Sequence, residues 1–329
     1  MIISKTPYRI SFFGGGTDYP EWYLENNGEV ISSTINKYIY LTCRNLPNFF
    51  DHKYRIVYSQ IELAKKSSEI KHKVVRKLIE KYKINNGIEL HYDGDLPAQS
   101  GMGSSSSFIV GCNNLLSNLC GKSFSKKKLA DESLKFEQDI LKEVVGSQDQ
   151  IATAYGGFNS IKFFKSGIYK VEKLKIDLNS KNNLNERLIL LYTGNQRRAH
   201  DIAGSYVHKL NKSKKSQMYE ILGFVNKAKK YLINSQLDDF GNLLHESWIK
   251  KKELSKSISS EFIDAIYKKA IKNGAIGGKI LGAGGGGFFI FYVEKNSIKK
   301  FKQSFKNFPI IPFKFEQRGS EIIFNDQKK

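Results

Sequence analysis

The chain has 329 residues, 40% hydrophobic and 26% charged, enough to bury one large core or two ordinary ones. Its formal net charge of +21 comes almost entirely from lysine, with only eight arginines among 53 basic residues, and the lysines scatter through runs such as 126–128, 212–215 and 250–252, which reads as solvated helix faces and argues against a nucleic-acid surface. No apolar run is long enough to span a membrane, the start lacks the segments of a signal peptide, and Cys43, Cys112 and Cys120 form neither a disulfide framework nor a zinc spacing, so a cytoplasmic protein without a membrane partner is expected.

In chain order, β-branched and aromatic residues predict strands over 9–13, 29–34, 37–44 and 54–58. Val74, Val75, Leu78, Ile79 and Tyr82 share one face, which predicts a helix over 70–82, and 87–92 alternates like a strand. After a loop, Phe108, Cys112, Leu115, Leu116 and Leu119 recur at helical intervals, and 126–143 reads as a further helix. Strands follow over 158–164, 168–176 and 187–193. The polar stretch 179–185 marks the expected boundary between an N-terminal domain, 1–183, and a C-terminal domain, 184–329. Helices are predicted over 199–210, 216–234, 237–252 and 260–273, then strands over 276–281 and 288–293 around a glycine cluster, with a last helix and one or two strands. This interleaving predicts an α+β class.

Three glycine-rich segments suggest chemistry. In the loop before the 108–119 helix, Gly101 and Gly103 permit a tight turn and close approach to a ligand. Ser104, Ser105, Ser106 and Ser107 then open the helix, where unpaired N–H groups favour phosphate and a hydroxyl can ligate magnesium. No Gly-Lys-Ser/Thr follows, so this is not a Walker A loop. The second segment, from Lys279 to Phe288, holds five glycines between apolar strands and implies close backbone approach to something. The third is the turn Gly14-Gly15-Gly16-Thr17-Asp18. The six histidines share no ligand spacing.

In this order the segments resemble the GHMP kinases, the family of galactokinase, homoserine kinase and mevalonate kinase. The galactokinase form Pro-Gly-Arg-Val-Asn-Leu-Ile-Gly-Glu-His-Thr-Asp-Tyr stands here, without a gap, as Pro7-Tyr-Arg-Ile-Ser-Phe-Phe-Gly-Gly-Gly-Thr-Asp-Tyr19. Pro-x-x-x-Gly-Leu-Gly-Ser-Ser stands as Pro97-Ala-Gln-Ser-Gly-Met-Gly-Ser-Ser105, and Lys-x-x-Gly-Ala-Gly-x-Gly-Gly as Lys279-Ile-Leu-Gly-Ala-Gly-Gly-Gly-Gly287. Glu137 and Asp149 match the galactokinase-like glutamate and the aspartate twelve residues later.

The resemblance implies an N-terminal domain like ribosomal S5 domain 2 and a ferredoxin-like C-terminal domain. It implies an ATP-dependent, Mg²⁺-dependent kinase acting on a small-molecule sugar phosphate, with a homodimer allowed. ATP would contact Pro97, Ser100, Gly101, Met102, Gly103 and Ser104 to Ser107; Ser105 and Glu137 would hold Mg²⁺; Asp149 would be the base, with Arg9 beside it. Gly14, Gly15, Gly16, Thr17, Asp18, Lys279, Gly282, Gly284, Gly285 and Gly286 would surround the substrate. Gly15 and Gly16 replace the Glu-His that contacts the sugar in galactokinases, which opens room and argues against galactose. The run Arg-Ile-Ser-Phe-Phe-Gly-Gly-Gly-Thr-Asp-Tyr-Pro-Glu-Trp-Tyr and the run Tyr192-Thr-Gly-Asn-Gln-Arg-Arg-Ala199 look like the heptose 7-phosphate kinases of nucleotide-heptose pathways, which act at the anomeric hydroxyl. The adjacent Arg197 and Arg198 are then expected at the substrate phosphate, Arg197 first. Another sugar kinase of the family, such as a fucose kinase, or a catalytically silent ATP and sugar sensor, is the alternative.

Overall fold

The computed structural model describes residues 1–194 and 199–326. The chain opens with β1 (Ile2–Phe13), α1 (Pro20–Asn26) and an 18-residue strand, β2 (Gly28–Asn45). There follow β3 (Tyr54–Val57), β4 (Ile61–Ala64), α2 (Lys73–Tyr82), β5 (Ile88–Gly94), α3 (Ser104–Leu119), α4 (Lys126–Lys135), α5 (Gln148–Tyr155), β6 (Phe158–Phe163) and β7 (Tyr169–Lys173). Then α6 (Leu178–Arg187) leads into β8 (Leu188–Tyr192), α7 (Ala199–Gly204), α8 (Lys215–Ile233), α9 (Leu237–Lys252), α10 (Glu261–Lys272), β9 (Ala275–Ile280), β10 (Phe288–Val293) and α11 (Ile298–Ser304). Three short strands close the chain: β11 (Ile310–Ile311), β12 (Phe315–Glu316) and β13 (Glu321–Asn325).

Two sheets result, as an α+β class requires. The larger runs β13-β1-β2-β5-β3-β4, with β6 and β12 also on β2 and β7 on β6; the smaller is β11-β8-β10-β9, antiparallel throughout. The two strands predicted over 29–34 and 37–44 are one. Its first part pairs with β6, its last part with β5, and the polar middle is covered by β12 at Thr34 and Ile35. β12 and β13 return the chain to the first sheet, so it crosses between sheets at α6 and again after β11.

The polar stretch 179–185 is helical, not an open linker. The Asp177 carboxylate accepts from the Ser180 N–H at 2.9 Å and caps α6, while Leu184 is fully buried. A single apolar anchor in ten residues gives too little periodicity to read as a helix. Helices α1 and α5 and strand β4, all eight residues or shorter, were likewise not anticipated.

Helix α3 sits at the centre of the first unit. Ile109, Val110, Cys112, Leu115 and Leu116 are buried, each of the aliphatic side chains contributing about 1.5–3 kcal/mol. Gly111 lets it approach the sheet closely: a Cβ there would lie 2.9 Å from Thr6 Oγ1 and 3.1 Å from Leu41 Cδ1. The helix begins after Gly103, which sits in the left-handed region at φ 73°, and its first residues, Ser104, Ser105 and Ser106, line a cleft.

Candidate active site

A cavity of about 440 Å³ opens where the start of α3, the start of α5, the 14–18 turn and the β9–β10 loop meet. Arg9 reaches it because the β1–β2 register shifts between Pro7 and Arg9. Proline has no N–H to give the ladder, and the bulge turns the Arg9 N–H to the Met102 carbonyl at 3.2 Å, tying the strand to the serine loop. Arg9, 3% exposed, grips Asp149 with its guanidinium in a fork: Nε donates to Oδ1 at 2.7 Å and Nη2 to Oδ2 at 2.6 Å. Its remaining arm, Nη1, donates to the Gly101 carbonyl at 2.8 Å. Asp149 stands in the first turn of α5 with its carboxylate 22% exposed to the cavity. Gly103 overhangs the pair, since a Cβ there would lie 3.3 Å from both Arg9 and Asp149 Oδ2.

Glu137 enters from the opposite wall. The helix predicted over 126–143 breaks: α4 ends at Lys135, and 136–140 form a π-helical turn closed by the Leu141 N–H on the Phe136 carbonyl at 2.9 Å. The wider turn buries both Phe136 and Glu137, a distortion often found at functional positions. Ser106 Oγ at 2.9 Å and Gln150 Nε2 at 2.6 Å both donate to Glu137 Oε2. Burial pushes this carboxyl up to about 7, against those two hydrogen bonds and with a further push from the Asp149 charge. Ser105, the serine expected beside Glu137, is instead exposed on the cavity wall; the α3 helix phase gives the Glu137 contact to Ser106.

The glycine cluster between β9 and β10 meets the serine loop backbone to backbone. A Cβ on Gly282 would lie 2.7 Å from Gly101 Cα, one on Gly101 would lie 2.5 Å from the Leu281 carbonyl, and the Phe288 N–H bonds to the Ser100 carbonyl at 3.1 Å. The ligand that this cluster approaches is therefore first of all the other loop. Gly101→Ala places a side chain at φ +82° against that carbonyl. We expect it to lower stability by about 2 kcal/mol or more, read as a reduced urea midpoint, and to cut turnover; an unchanged midpoint would contradict this packing.

Several expected contacts lie elsewhere. Gly101, Gly103, Ser104, Ser105 and Ser106 face the cavity, but Pro97, Ser100, Met102 and Ser107 lie behind it. Ser100 Oγ donates to the Pro97 carbonyl at 2.7 Å, Ser107 Oγ to the Pro7 carbonyl at 3.2 Å, and Met102 is wholly in the core. In the first turn, Gly15, Gly16 and Asp18 face the cavity. Gly14 and Thr17 form the turn itself: Thr17 Oγ1 donates to the Gly14 carbonyl at 2.8 Å and the Glu29 carbonyl at 3.0 Å, and Gly14, at φ +80°, has no room for a Cβ beside Glu29. Asp18 accepts from the Gly16 N–H at 3.0 Å and the Gln148 N–H at 3.3 Å; burial, and then the Asp149 charge, raise its carboxyl above the usual range. Lys279, Gly282, Gly284 and Gly286 line the cavity, whereas Gly285 turns its N–H to the Ile258 carbonyl at 2.8 Å. Arg197 and Arg198 fall outside the described residues.

Sequence reading missed Lys251, Tyr206, Ser11 and Gln148, all of which line the cavity. Ser11 Oγ and Gln148 Oε1 are buried without a hydrogen-bond partner among the described residues. Both stand behind Gly15, where a Cβ would lie 3.8 Å from Ser11 Oγ and 3.9 Å from Gln148 Nε2. A pocket with orphaned polar atoms behind glycines suits a hydroxyl-rich ligand.

Comparison with known proteins agrees with this arrangement. A family model described as "GHMP kinases N terminal domain" matches residues 68–157, and one described as "GHMP kinases C terminal" matches residues 228–310. The chain is 30% identical over 303 residues, covering 89% of each protein, to D-glycero-alpha-D-manno-heptose 7-phosphate kinase of Campylobacter jejuni subsp. jejuni serotype O:2. It is 26% identical to a galactokinase of Pyrococcus furiosus over 91% of this chain and 90% of that one. Its fold is similar, with a TM-score of 0.80 at 22% identity over 99% of both chains, to a crystal structure of a D-glycero-D-manno-heptose 1-phosphate kinase from Bacteroides thetaiotaomicron. With three glycine loops converging on a carboxylate pair, and these matches spanning both halves of the sequence, the chain belongs to the GHMP kinase family.

Proposed function

We propose that this kinase transfers the γ-phosphoryl group of ATP to the anomeric (C1) hydroxyl of a sugar phosphate. The acceptor proposed is D-glycero-D-manno-heptose 7-phosphate, giving the 1,7-bisphosphate for nucleotide-activated heptose and surface polysaccharide, in the cytoplasm. One observation carries the reading: the forked Arg9–Asp149 pair opens into the same cavity as the N-terminal turn of a buried helix. The likeness to the Campylobacter jejuni heptose 7-phosphate kinase supports the choice of acceptor.

The residues divide the work by their chemistry. The N–H groups at the start of α3 offer donors to phosphate oxygens. Glu137 and the exposed Ser105 hydroxyl are hard oxygen ligands of the kind Mg²⁺ prefers, and Ser106 and Gln150 orient the carboxylate through its other oxygen. A bound Mg²⁺ would neutralise phosphate charge and reverse the burial cost that raises the Glu137 carboxyl. Asp149 accepts the proton of the C1 hydroxyl as the C1 oxygen forms its bond to phosphorus and the bond to the ADP oxygen breaks. Arg9 fixes the orientation of both carboxylate oxygens, so the gain lies in positioning and preorganised charge. Ser11 and Gln148 are placed to meet sugar hydroxyls in the room above Gly15.

ADP release measured against a panel of heptose 7-phosphates, free heptoses, galactose, fucose and mannose tests this. Turnover with kcat/KM highest on a heptose 7-phosphate is expected. A preference for a free hexose would displace the acceptor, and no ADP release on any sugar would contradict the kinase reading.

A further inference from the structure

Two ammonium groups face the cavity with carbonyl oxygens as their partners among the described residues. Lys279, on β9 and 4% exposed, donates to the Phe12 carbonyl at 2.8 Å. Lys251, in the last turn of α9, donates to the carbonyls of Ile280 at 3.1 Å and Gly282 at 2.6 Å. Its sequence neighbours behave differently: Lys250 pairs with Glu220 and Glu253, and Lys252 pairs with Asp264. The helical turn thus sends two lysines of one run to surface carboxylates and the middle one inward, where among the described side chains it pairs with no carboxylate.

An ammonium has three N–H donors. Lys251 spends two on carbonyls and Lys279 one, which leaves three donors between them for something in the cavity. Holding a loop carbonyl requires only a neutral donor; drawing the buried Lys279 and the half-buried Lys251 away from water beside Arg9 is costly unless an anion joins them. Burial first, and then the Arg9 charge, pushes Lys279 down to about 7, with Asp18 a partial counter-charge; burial, then Lys279 and Arg9, pushes Lys251 well below its usual range. Lys251 also bonds the carbonyl of the glycine that packs on Gly101, so its ammonium stands beside the serine loop and the Arg9–Asp149 pair.

We infer that Lys251, with Lys279, forms an anion subsite that takes a phosphoryl group during the reaction, an assignment that rests on the kinase reading above. The phosphoryl group has two sources, the γ-phosphoryl of ATP and the phosphate already on the acceptor.

Calorimetric binding with Mg²⁺ present separates them, using Lys251→Gln and four ligands: AMP-PNP against ADP, and heptose 7-phosphate against free heptose. The affinity for AMP-PNP, for heptose 7-phosphate or for both is expected to fall about tenfold or more, with the matching ligand that lacks the phosphoryl group changing less than about threefold. A selective loss on AMP-PNP assigns the γ-phosphoryl; one on heptose 7-phosphate assigns the acceptor's phosphate. Lys251→Arg, which keeps the charge, is expected to retain most of the affinity. Equal losses on all four ligands would make Lys251 a strap for the Gly282 loop and overturn the inference, as would four unchanged affinities. The melting temperature checks the fold, and Lys251→Met replaces the glutamine variant if that one does not fold. Because binding is read without turnover, the two readings fail separately. A protein that binds through Lys251 but phosphorylates no sugar contradicts only the kinase reading, and normal binding by Lys251→Gln contradicts only this one.

Discussion

Asp149→Asn is expected to lower kcat by roughly two to four orders of magnitude while leaving ATP affinity within about threefold. The amide keeps the size of the carboxylate and one oxygen for the Arg9 fork, so the loop and helix around it retain their shape. It cannot accept the proton that the sugar hydroxyl must lose. Arg9 keeps its bond to the Gly101 carbonyl, which anchors the guanidinium even when one arm loses its partner. Steady-state kinetics with a calorimetric ATP titration separates these effects. Turnover within about tenfold of the unsubstituted enzyme would remove Asp149 from proton transfer, and a parallel loss of ATP binding would point to a collapsed site.

Glu137→Gln should be nearly as damaging, by roughly two to three orders of magnitude in kcat, the range for losing one preorganised charged group. It also has a signature that needs no turnover. In the folded protein without metal, the Glu137 carboxyl lies near 7 against an ordinary 4.5, so the folded state holds its proton over a range where the unfolded chain has released it. Its contribution to stability is therefore complete below about pH 4.5 and is lost as pH rises to about 7, by about 3 kcal/mol in all. Metal-free denaturation curves should show this decline. Mg²⁺ with ADP should shrink it by favouring the ionised carboxylate, and Glu137→Gln should abolish it. A pH profile identical in the substituted and unsubstituted proteins would contradict the raised Glu137 carboxyl, and a decline that Mg²⁺ with ADP leaves unchanged would contradict its assignment as a cation ligand.

How much of this was legible in the sequence varied with the kind of information needed. Backbone requirements were visible, because Gly101, Gly103 and Gly282 are glycines for reasons of φ and close approach that no other residue meets. The spacing from Glu137 to Asp149 also survived, although the path between them is a π turn and a loop rather than a continuous helix. Which serine meets Glu137 was not legible: four consecutive identical residues open α3, and only the helix phase set by Gly103 turns Ser106 toward the carboxylate. Lys251 was hidden in the same way, since three adjacent lysines look alike until the position of the β9–β10 loop decides which one faces inward. Gly14 and Thr17 matched a ligand motif but serve the turn that presents Asp18, a distinction carried by hydrogen bonds to Glu29 that pattern alone does not contain. The α6 segment failed as a linker because one buried leucine and one aspartate cap suffice to fold ten mostly polar residues onto the core.

A crystal structure with AMP-PNP, Mg²⁺ and D-glycero-D-manno-heptose 7-phosphate tests the central claim most directly. The terminal phosphates are expected on the N–H groups that follow Gly103, the cation on Glu137, and the C1 oxygen within hydrogen-bond reach of Asp149. A triphosphate bound away from the start of α3, or a sugar whose C1 oxygen lies far from Asp149 in an otherwise intact site, would contradict it.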